Sequence, residues 1–179
     1  MSKRIIQYLI LLFVASLLAL LQFSLVSALP WPWNNFNLLV VAFIFAFLTV
    51  GRDKAWLLAA AAGCFLDIWS FHPFGLSLLS LLFSAVIVYI ILENVLTNRS
   101  MYSFLLLTAI AIISETFLYN IFLIILDWSG SASKFFLFSV SFWEALAWSL
   151  LLGLLVVGLF FNLLAMASRK LHPFFLKRR

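Results

Sequence analysis

Residues 101–126 form a run of 26 positions interrupted by one charged side chain, Glu115. A helix needs about 20 apolar residues to cross the hydrocarbon core of a bilayer. Inside lipid every backbone N–H and C=O must be paired within the protein, which leaves helices and closed barrels as the only spanning structures. Barrel strands alternate polar and apolar residues, whereas the apolar runs here are continuous, so the sequence predicts an all-α integral membrane protein. Composition excludes the rest. The chain is 66% hydrophobic and 9% charged, against about 25% charged in soluble domains. Its 21 Phe and 7 Trp exclude a solvated, disordered polymer. The single Cys64 leaves no intrachain disulfide to build on.

Six runs emerge, at about 5–29, 36–50, 55–69, 74–92, 101–126 and 138–167, in one transmembrane domain covering 1–179. The first stops at Pro30-Trp31-Pro32-Trp33, where proline removes donors and tryptophan favours the interface. The second and third are short. They are split because Arg52, Asp53 and Lys54 are costly together at mid-membrane, and the alternative is one kinked hairpin that does not cross fully. With six spans, Lys3, Arg4, Arg52, Lys54, Arg99, Arg169, Lys170, Lys177, Arg178 and Arg179 share one side, and Lys134 alone occupies the other. The positive-inside rule then puts both termini in the cytoplasm, with the basic tail against anionic lipid. The first run also carries Lys3-Arg4 and a Val26-Ser27-Ala28 resembling a cleavage site. Its apolar stretch exceeds the roughly 7–15 residues of a signal-peptide core, so an uncleaved helix is expected.

Chemistry-bearing residues are few. Glu115 lies near the middle of its span, with Tyr119 one turn on and Thr116 and Asn120 beside it. A carboxylate at that depth faces protein or water, or stays protonated. It is either a buried polar site or a packing hydrogen bond to a neighbouring helix. Gln22 and Glu144 could line a cavity with it, or Glu144 could sit at the interface beside Trp143. Asp67 precedes the His72-Pro73-Phe74-Gly75 break and is expected to accept at least one hydrogen bond there, from backbone N–H groups of the helix that starts at the break or from His72. A metal site from Asp67 and His72 lacks a third ligand. Ala55, Ala59, Ala62 and Gly63 make a small-residue face on which backbones can approach closely, either inside the fold or against a partner helix. No phosphate loop, zinc motif or nucleophile triad is present. An enzyme, a cofactor and nucleic-acid binding are therefore not expected.

The segment Gly63-Cys64-Phe65-Leu66-Asp67 followed by Pro73-Phe74-Gly75-Leu76 resembles the rod shape-determining protein MreD family. The pattern is G-x-x-x-D, five residues, then P-x-G-L between two apolar spans. The family more often shows Pro-Leu-Gly, and Phe74 keeps the apolar character of that position. The resemblance implies a multi-pass subunit of the bacterial inner membrane, without enzymatic activity, in the cell-elongation (rod) complex. There it would bind an MreC-like bitopic protein and help couple MreB filaments to peptidoglycan synthesis by RodA and its transpeptidase partner. It also implies a bundle similar to the S components of energy-coupling-factor vitamin transporters. An S component is thus the rival reading, set back by outer loops that are apolar and tryptophan-rich.

Overall fold

The computed structural model describes residues 2–49, 51–70, 73–94, 101–126 and 139–170, and no strand occurs among them. Six helices follow in order: α1 (Ser2–Leu21), α2 (Leu38–Thr49), α3 (Arg52–Trp69), α4 (Leu76–Asn94), α5 (Met101–Leu126) and α6 (Val140–Lys170). A π turn (Gln22–Val26) continues α1, and a 3₁₀ turn (Trp33–Asn35) precedes α2. Four segments are long and apolar enough to cross a membrane: Ile5–Val26, Leu76–Asn94, Tyr102–Ile125 and Val140–Phe160. Their outward faces are apolar, with Ile5, Leu9, Ile10 and Phe13 on α1 all more than half exposed. Exposed apolar surface on that scale needs a lipid or protein cover.

The remaining two helices differ from the expected spans for separate reasons. α2 has 12 residues and rises about 18 Å, short of a hydrocarbon core about 30 Å thick. It is instead the centre of the fold. Val40, Phe43 and Ile44 are fully buried, with Leu39, Val41, Ala46 and Phe47 nearly so. A helix apolar all round suits either lipid or protein neighbours, and here α2 touches α1, α3, α5 and α6. α3 has the length, at 18 residues, but carries Arg52, Asp53, Lys54 and Asp67. Its charged first turn is set off from α2 by Gly51, whose φ of +110° is a left-handed-side conformation that glycine adopts without steric cost.

Around α2 the other helices pack in sequence: α1 on α3, α3 on α4, α4 on α5 and α5 on α6. Serines knit α4 to α5, where the buried Ser84 hydroxyl donates to the Ala111 carbonyl at 3.2 Å and the part-buried Ser114 hydroxyl donates to Ser84. Aromatic edges close α5 on α6, with Phe117 5.6 Å from Phe142 between ring centres. An apolar groove of about 580 Å³ separates α1 from α6, floored by Leu38, Val41, Ala42 and Phe45 of α2.

Candidate functional site

The motif segment folds into a corner joining α3 to α4. Asp67, in the last turn of α3, is only 4% exposed. Its carboxylate accepts from three backbone N–H groups at the start of α4: Gly75 at 2.9 Å, Ser77 at 2.8 Å and Leu78 at 3.0 Å. Those are donors that a helix N-terminus leaves unpaired, and the helix dipole favours a negative group there. The sequence expectation for Asp67 rested on this physics, and the contact is present. His72 lies outside the described residues.

The other motif residues divide the work of the corner. Gly75 has φ +98°, and its carbonyl receives the Leu79 N–H at 2.9 Å as α4 begins. Leu76 is fully buried. Gly63 lies where a Cβ would stand 2.7 Å from the Leu78 Cα, so α3 and α4 touch backbone to backbone. The small-residue face therefore resolves in one direction. Ala55, Ala59, Ala62 and Gly63 are all buried inside the fold, next to α1 and α4. As a docking surface for a partner the stripe is excluded, because the protein's own helices occupy it.

At the opposite end of the same helix pair, Arg52 donates to the Tyr89 hydroxyl at 2.9 Å and pairs with Glu93. The Tyr89 hydrogen bond first, and the Glu93 charge after it, hold the Arg52 guanidinium above its ordinary pKa. Both side chains of the ion pair are about half exposed, where solvent screens such pairs strongly. Arg52→Ala is accordingly expected to leave the thermal midpoint in detergent nearly unchanged. A large drop on that substitution alone would show that this end, and not the Asp67 corner, clamps α3 to α4.

A second polar cluster ties α1, α2 and α5 together. The Gln22 side chain donates to the Phe36 carbonyl at 3.0 Å and accepts from the Leu38 N–H at 2.8 Å, covering the start of α2. Asn37 caps α2 through its own side chain, which accepts from Val40 N–H at 3.2 Å. The Asn37 amide also donates to Glu115 at 2.9 Å. Glu115 thus has an inter-helix partner, the packing alternative of the sequence reading. Asn37 was not singled out from the sequence. The N-cap position before an apolar run was the available signal.

The four intramembrane polar residues do not converge. Tyr119 lines a cavity of about 300 Å³ with Gln22, Phe23, Ser27, Leu66, Ser70 and Ser77. Asn120 donates to the Thr116 carbonyl at 2.7 Å and lines a separate cavity of about 150 Å³ with Asn35 and Ser149. Buried there, the Asn35 amide nitrogen has no hydrogen-bond partner among the described residues, and the space suits ordered water. Glu144 is exposed on α6 and lines neither cavity. Among the described residues Glu144 stands apart from both polar cavities, and the exposed placement beside Trp143 is the one observed. Among the described residues, no group of three His, Cys, Asp or Glu side chains stands together to hold a metal ion.

Compared with protein-family models, curated proteins and solved structures, the chain matches none.

Proposed function

We propose that this protein is a non-enzymatic scaffold subunit of the bacterial cell-elongation machinery, multi-pass in the inner membrane, acting through contacts with other membrane proteins. The observation that carries the reading is the α3–α4 corner. Each of Gly63, Asp67, Gly75 and Leu76 in the MreD-like pattern has a structural task there. A pattern consumed by packing and capping defines a shape and leaves no reactive group over. Its partner would be an MreC-like bitopic protein, with MreB, RodA and a transpeptidase as further members of the complex.

In this reading six segments traverse or enter the bilayer, and the corner faces outward. The basic-residue asymmetry supports that orientation. Cysteine introduced at Ser131 should react with an impermeant reagent added outside intact cells, and cysteine at Asn98 should not. Equal labelling of both positions would defeat the topology.

Depletion in the host tests the function itself. Rod-shaped cells should round up as the protein is lost. Unchanged shape together with loss of uptake of one vitamin would favour the transporter S component instead.

A further inference from the structure

The 300 Å³ cavity beside the corner is not used by the scaffold reading, and its lining has a specific chemistry. We infer that it is a binding site for a neutral, hydroxyl-rich molecule the size of a single sugar ring, free or as the headgroup of a glycolipid. None of the seven lining residues is charged. Asp67 stands nearby, but its carboxylate is taken up by three N–H donors of α4. The lining itself offers a charged guest no counter-ion.

The hydroxyls have defined directions. Ser27 donates to the Gln22 carbonyl at 3.0 Å, and Ser70 donates to the Asp67 carbonyl at 3.4 Å. Ser27 has committed its only proton and Ser70 turns its own towards a carbonyl, so both face the cavity chiefly with lone pairs. A guest must therefore donate. Ser77 differs. It is 3% exposed, and its hydroxyl has no hydrogen-bond partner among the described residues. It can donate as well as accept, so a guest that also accepts is satisfied there. A group that donates to several oxygens and accepts from another is a polyol. The rings of Phe23 and Tyr119 and the Leu66 side chain supply the apolar contact for its C–H face. The volume sits at the lower end of small-molecule pockets, about 300–1,000 Å³. The wall contributed by α1 is the π turn Gln22–Val26 and the residue after it, and such bulges recur at functional sites.

The test uses the full-length protein with two sources of the same group. Free N-acetylglucosamine and glucose are titrated in detergent. Monoglucosyl-diacylglycerol is titrated in nanodiscs against diacylglycerol alone. Binding is read by tryptophan fluorescence and by thermal stabilisation. Saturable binding of at least one probe is expected, weakened at least tenfold by Ser77→Val with the fold intact. Ser77→Val keeps the backbone N–H that Asp67 accepts from. A second variant, Ser27→Ala, should weaken binding without touching the corner. Response to the glycolipid alone identifies the headgroup as the source, and response to free sugar identifies a soluble guest. No saturable binding of any probe, binding indifferent to both substitutions, or stabilisation by sodium ion alone would overturn the assignment.

Discussion

Asp67→Ala is expected to cost more folded protein than any other single substitution in the chain. It leaves the N–H groups of Gly75, Ser77 and Leu78 without an acceptor in an environment where Asp67 itself is 4% exposed. Each orphaned buried donor costs about 1–3 kcal/mol. The Ser77 bond is buried and the other two are part-buried, so the combined loss is on the order of 3 kcal/mol, a large share of a typical stability. Yield from membranes and the thermal midpoint in detergent should both fall sharply. Asp67→Asn keeps one acceptor oxygen but turns an amide N–H₂ toward the same donors, so it should recover only part of the loss. Normal yield and an unchanged midpoint for Asp67→Ala would mean that the carboxylate is not what holds α4 to α3.

Gly63→Leu should rank next. Even a Cβ at this position stands 2.7 Å from the Leu78 Cα and 3.2 Å from its amide nitrogen, which are backbone atoms that cannot rotate away. The two helices must separate, stripping the Asp67 contacts one turn further on. Overpacking typically costs about 1–3 kcal/mol, and loss of the corner adds to it. Gly153→Ala provides the internal control. There the added methyl meets the end of the Ile112 side chain, which can change rotamer, so the midpoint should shift much less. Comparable destabilisation by Gly63→Ala and Gly153→Ala would argue against a backbone-to-backbone contact at Gly63.

Much of this architecture was legible in the residues, and the reasons differ by element. The apolar run around Glu115 reads as a helix because lipid admits only helices and closed barrels, and its residues do not alternate as barrel strands do. The corner was legible because a carboxylate before a Pro-x-Gly break can be paired most simply by the helix start that follows. The central place of α2 was not. Its sequence is equally consistent with a helix surrounded by lipid and one surrounded by protein, since both environments are apolar. Likewise, the Ala55–Gly63 face announced close packing but not the identity of the neighbour. Hydrophobic periodicity carries little direction in a chain whose outside is as apolar as its inside. The Gln22 and Asn37 bonds span 16 and 78 residues of sequence, and such pairings arise from tertiary placement alone.

The scaffold role proposed above requires contact with cell-elongation proteins in the membrane. The most direct measurement is affinity purification of the tagged full-length chain from native membranes, solubilised mildly, with quantitative identification of co-purifying proteins. A bitopic MreC-like protein should be enriched together with RodA and its transpeptidase partner, and that enrichment should be lost with Asp67→Ala. Recovery of a transporter ATPase pair in their place, with no cell-elongation protein enriched, would contradict it.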